Sequence, residues 1–98
     1  SDSASLSLHE AMACELAPVV TNLSGNREWI TDGENGFLVP VNNIQALVDK
    51  IVYLLNNKEV ARKFGMLGRK IIQERAEYEK EMGRMEGLYE RIVVKDKS

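Results

Sequence analysis

The sequence has one cysteine, one histidine, two prolines and one tryptophan in 98 residues. A lone Cys14 excludes an internal disulfide and any multi-cysteine metal site, and it suits a reducing, cytoplasmic compartment. With His9 as the only histidine, a zinc site built from this chain alone lacks its ligands. There is no apolar run of membrane-spanning length and no signal-peptide pattern at the start. No basic patch interleaves with aromatics. The formal net charge of −2 creates no field that would draw nucleic acid, so nucleic acid is not an expected partner.

What the chain does have is an ordinary apolar share and many charges of both signs, 13 basic against 15 acidic. That is the balance of one globular domain, or of a piece of a larger one. Residues 1–14 concentrate small hydroxyl side chains behind Asp2. The periodicity of Leu6, Leu8, Ala11, Met12 and Leu16 then predicts an amphipathic helix beginning near Ser5. The start of such a helix presents free N–H groups and a positive dipole end to an anion such as phosphate. Ser7 and Glu10 also fit a capping box, which gives Glu10 a purely structural alternative.

Ala17-Pro18-Val19-Val20-Thr21 reads as a buried parallel strand, and the polar stretch 22–26 as the turn at its carboxyl end. In open α/β sheets that edge binds ligands. Residues 27–30 make a short helical turn or a strand, and Phe37-Leu38-Val39-Pro40 a second short strand. Asn35-Gly36 could close a hairpin, but a polar connector after one helical turn is preferred. Asp32 and Glu34 in that connector are read as turn formers before metal ligands.

From Asn42 onward the pattern is helical. Asn42 or Asn43 caps a helix striped by Ile44, Leu47, Val48, Ile51, Leu54 and Leu55, and Asn56-Asn57 ends it. A second helix buries Val60, Phe64, Leu67 and Ile71 and exposes Arg62, Lys63, Arg69, Lys70 and Arg75. A third segment, with its break placed near Ala76, carries Tyr78, Met82, Met85, Tyr89 and Ile92, and the tail 95–98 is expected to fray. Two strands cannot cover so many apolar helix faces. The expected fold is therefore α/β, part of a doubly wound, Rossmann-like parallel sheet with a helix-rich carboxyl-terminal half.

In their order and spacing these blocks resemble the retaining GT-B glycosyltransferases of family four. The blocks are Glu10-Ala11-Met12-Ala13-Cys14, Pro18-Val19-Val20, 25–30, Asp32-Gly33-Glu34-Asn35-Gly36-Phe37-Leu38-Val39, the helices after Asn43 and Lys58, and a Leu88-Tyr89 pair. The resemblance implies that residues 1–75 are the second half of a nucleotide-sugar-binding domain. Residues 76–98 would be its last helix and tail. The family signature pairs two glutamates with seven residues between them, a spacing met here by Asp2 and Glu10. By that similarity Glu10 holds the ribose of a nucleotide-diphosphate sugar. Asp2 is the catalytic contact to the transferred sugar, and Ser3, Ala4, Ser5 and Leu6 line the diphosphate.

The departures are that Asp2 is one methylene shorter than glutamate, that Ser3 and Ser5 stand where the family has glycines, and that His9 replaces an aliphatic residue. The resemblance further implies transfer with retention and without metal or cofactor. The acceptor, a glycan, lipid or small molecule, would be bound by a domain not in this chain. The chain alone would be inactive and prone to self-association through exposed apolar surface. Two alternatives differ in class: a nucleotide-binding module without transfer activity, and a helical oligomerisation module.

Overall fold

The computed structural model describes residues 2–82, with side chains from residue 8 onward. The expected roles of Met85, Leu88, Tyr89, Ile92 and the 95–98 tail lie outside the described residues, as do the side chains of Asp2, Ser3, Ala4, Ser5 and Leu6. The elements in order are α1 (Asp2–Ala13), β1 (Val19–Thr21), α2 (Ser24–Arg27), β2 (Phe37–Val39), α3 (Ile44–Asn56) and α4 (Lys58–Glu81). β1 and β2 pair in parallel, with Val19 opposite Phe37 and Thr21 opposite Val39. This is the expected α/β arrangement, a small parallel sheet with helices packed on it.

The α1 helix begins at Asp2, ahead of the expected start near Ser5. No glycine or proline occurs before Pro18, so nothing in the stretch breaks a helix, and Asp2 in the first turn suits the positive dipole end. Ser7 therefore lies inside the helix and not at its N-cap, the position from which a capping box with Glu10 would start.

At the other end, the Leu16 N–H donates to the Ala11 carbonyl at 3.0 Å and the Glu15 N–H to Met12 at 3.0 Å. That is the Schellman pattern, whose central residue takes a left-handed conformation. Here it is Glu15, with φ 63°.

Asn43 caps α3 as expected, its side chain accepting from the Ala46 N–H at 2.9 Å. Asn57 ends the helix and donates its side-chain amide to the Tyr53 carbonyl at 2.7 Å. Of the apolar stripe only Leu54 is buried. Ile44, Val48, Ile51 and Leu55 stay exposed.

The α4 helix runs without interruption past Ala76, so no break occurs there. Its buried side is Phe64, Gly65, Gly68, Ile72 and Ala76, rotated from the expected Val60, Phe64, Leu67 and Ile71. Leu67 is exposed and Ile71 only half-buried. The cause is close helix contact. A methyl group on Gly65 would fall on the Glu15 carbonyl, and one on Gly68 would touch the Met12 side chain at 3.6 Å. α4 thus presents its smallest residues to α1.

Two cores result. Leu8, Met12, Ala13, Ile30, Ile72 and Ala76 form one, with Val20, Trp29 and Leu38 against it. Phe37, Leu54 and Phe64 form the other, on the side of α3.

Two substitutions test this packing. Gly65→Ala should destabilise the fold by about 1–3 kcal/mol, because neither helix backbone can yield to the added methyl. Glu15→Gly should stabilise it by about 1 kcal/mol by removing the left-handed strain of a side chain. Urea unfolding monitored by circular dichroism would measure both.

Candidate functional site

The α1 helix joins β1 through residues 14–18, and Leu8 lies with Thr21 and Asn26 along one cleft. The helix therefore runs antiparallel to the strand and points its first turns toward the sheet's carboxyl edge. Asp2, Ser3, Ala4, Ser5 and Leu6 occupy those first turns of backbone instead of a loop ahead of them. The unpaired N–H groups of a helix are those of its first turn. Glu10 lies two turns on, about 12 Å from Asp2 along the axis at ~1.5 Å per residue. It is half-buried.

A cleft of about 420 Å³ opens between α1 and β1, lined by Leu8, Ala11, Pro18, Val20, Thr21 and Asn26. At its rim, Asn26 donates to the Thr21 carbonyl at 2.8 Å. Arg27 donates to the Asn22 carbonyl at 3.2 Å and to its side-chain oxygen at 2.9 Å. The turn after β1 is thus held by its own side chains, which composition alone marked only as polar.

The connector from 31 to 36 is organised by Asn35, the one buried polar side chain among the described residues, 1% exposed. Asn35 Oδ1 accepts from the Thr31 N–H and its amide donates to the Trp29 carbonyl, both at 2.8 Å. Asn35-Gly36 closes no hairpin between Trp29-Ile30 and Phe37-Leu38, because Trp29 and Ile30 lie in a turn after α2 and form no strand. Gly36 instead lets the chain pass close to the Pro18 carbonyl, which a Cβ would meet at 2.8 Å. Asp32 accepts from the Leu38 N–H at 2.8 Å, a turn-forming role. Among the described residues no three His, Cys, Asp or Glu side chains converge as metal ligands.

The segment after α2 carries Trp29 to α1. Its ring meets His9 edge to face, with centroids 4.2 Å apart. The Arg75 guanidinium covers the same indole at 4.5 Å. Burial, then the Arg75 charge, hold the His9 imidazole below its ordinary pKa, and Glu28 acts in the opposite sense. Sequence reading placed Arg75 on a solvated outer face and left Trp29 unassigned. The available signal was His9, a polar ring on the helix that also carries the buried Leu8 and Met12.

The glycosyl transferases group 1 family profile matches residues 1–71. The chain belongs to that family.

Among its relatives, N-acetyl-alpha-D-glucosaminyl L-malate synthase of Bacillus anthracis is 31% identical over 97 residues, covering 99% of this chain and 26% of the relative. Poly(ribitol-phosphate) alpha-N-acetylglucosaminyltransferase of Staphylococcus aureus (strain COL) is 37% identical over 71 residues, covering 71% of the chain and 14% of the relative. Capsular polysaccharide biosynthesis glycosyltransferase CapM of Staphylococcus aureus is 32% identical over 66 residues, 67% of the chain and 17% of the relative. This family member therefore spans about a quarter or less of the curated relatives it matches. No helix among its described residues is long and apolar enough to cross a membrane.

The turn that carries Trp29 to α1 depends on Asn35. Asn35→Ala should cost about 1–3 kcal/mol, because it removes both hydrogen bonds that this buried side chain makes to the backbone of the connector. The loss should appear as a lower thermal midpoint and reduced Trp29 near-ultraviolet dichroism.

Proposed function

We propose that the chain is part of the donor-binding half of a glycosyltransferase that uses a nucleoside-diphosphate sugar and transfers the sugar with retention, without a bound metal. The family match across residues 1–71 carries this reading. Supporting it, α1 points its first turns toward the carboxyl edge of a parallel sheet, where α/β domains take their ligands.

In this reading the diphosphate sits at the start of α1, against the free backbone N–H groups of Ser3 and Ala4 and the positive dipole end, with Ser5 and Leu6 lining it from the next turn. Glu10 accepts hydrogen bonds from the ribose hydroxyls. Asp2 contacts the transferred sugar. As the bond between sugar and diphosphate lengthens, negative charge gathers on the leaving diphosphate. Dipoles already aimed at it stabilise that charge without reorganising. Two of the relatives carry an N-acetylglucosaminyl group in their names, so a nucleotide-linked N-acetylglucosamine is the first donor to try. The acceptor would bind elsewhere in the parent protein, and the 98-residue chain alone would not turn over.

A second reading rests on a different observation. Ile44, Val48, Ile51 and Leu55 of α3 are exposed together, and apolar surface of that kind favours association. A helical assembly module would bury it between copies, whereas a domain fragment would bury it against the rest of its parent.

Steady-state kinetics of the full-length parent separate these readings. Glu10→Ala should raise KM for the donor by roughly 10- to 100-fold, the loss of hydrogen bonds to a charged acceptor. Asp2→Asn should lower kcat more than it changes KM. The product anomer read by NMR should match the donor's, and chelation should leave the rate unchanged. An unaltered donor KM in Glu10→Ala would contradict the assignment of the ribose contact. Absence of turnover by the unmodified parent, with stable self-association of the chain, would favour the assembly module.

A further inference from the structure

Three elements meet at one indole. Trp29, in the turn after α2, is tied down through its carbonyl by Asn35. Its ring packs on His9 of α1, the ring planes inclined by 69°, and lies under Arg75 of α4. Both His9 ring nitrogens are shut away from water, and neither has a hydrogen-bond partner among the described residues. A neutral imidazole placed so loses the hydration of one donor and one acceptor. An imidazolium would carry a full charge and two unsatisfied donors into the same space.

We propose that His9 is a pH-sensitive latch: neutral, it seats α1 against the Trp29–Arg75 pair, and protonated, it loosens α1 from them. The charges that bear on the imidazole are Arg75 from α4 and Glu28 from the turn after α2. Arg75 opposes a second cation and Glu28 favours one, with Arg75 the stronger. The Trp29 face, which could otherwise attract an imidazolium, already holds the guanidinium.

The direction of the effect follows. Folded, His9 binds its proton less readily than it does in the unfolded chain, whose value is the ordinary 6.5. The packing then contributes in full above that value and loses strength as the pH falls through it. Because Glu10 is the next residue, a loosened turn would also shift the proposed ribose contact, a consequence that rests on the function proposed above.

His9 is the only histidine in the chain, so one imidazole proton resonance of the 98-residue protein reports the titration without ambiguity. Across about pH 8 to 5, the range in which histidine titrates, its midpoint should lie below 6.5. Arg75→Gln should move that midpoint upward. The thermal midpoint of the unmodified chain should fall over the same range more steeply than that of His9→Leu. A resonance titrating at or above 6.5, or parallel thermal profiles for the two proteins, would overturn the latch. If His9→Leu fails to fold, the NMR midpoints of the unmodified chain and of Arg75→Gln decide the matter. Loss of donor binding at neutral pH in Glu10→Ala bears on the function alone and leaves this test untouched.

Discussion

The structure depends on the close crossing of α1 and α4 at Gly65. The Glu15 carbonyl occupies the space where a side chain would stand. Arg69, one turn further along α4, donates to the Ala13 carbonyl at 2.9 Å, satisfying one of the carbonyls left open at the end of α1. Its contact with the Glu15 carboxylate, at 3.9 Å and half exposed, adds little by comparison. With Gly68 against Met12, and Met12 and Ile72 fully buried, the end of α1 is fixed to α4. Everything at the other end of α1, including the proposed donor contacts, inherits its position from that crossing.

A second constraint acts on the middle of α1. Asn35 holds the 31–36 connector that leads into β2, giving backbone groups of Trp29 and Thr31 side-chain partners. In doing so it sets Trp29 against His9. The site helix is therefore held twice, by backbone contact at its end and by ring contact near Glu10. The first is insensitive to pH and the second is not, which gives the helix one rigid and one adjustable attachment.

Features governed by near neighbours were legible in the sequence. The Asn43 cap, the stop at Asn57, the two strands and the turn roles of Asp32 and Asn35-Gly36 all follow from side chains acting within a few residues. The buried face of α4 was not legible in the same way. Periodicity favours Leu67 and Ile71, whereas a close helix crossing rewards the missing side chains of Gly65 and Gly68. The start of α1 was misjudged because several serines offered equivalent caps, and propensity carried the helix back to Asp2. The pairing of His9 with Trp29 and Arg75 joins positions far apart in the chain, which no local pattern encodes. Asp2, Ser3, Ala4, Ser5, Leu6 and Glu10 were singled out as a site by family resemblance together with the anion-binding character of a helix start.

The function proposed above requires α1 to hold the donor nucleotide. A crystal structure of the full-length parent with a nucleoside diphosphate bound is the decisive test. The diphosphate is expected against the start of α1 and the Glu10 carboxylate within hydrogen-bonding distance, about 2.7–3.2 Å, of the ribose hydroxyls. A nucleotide bound elsewhere, with Glu10 turned away from it, would overturn that assignment.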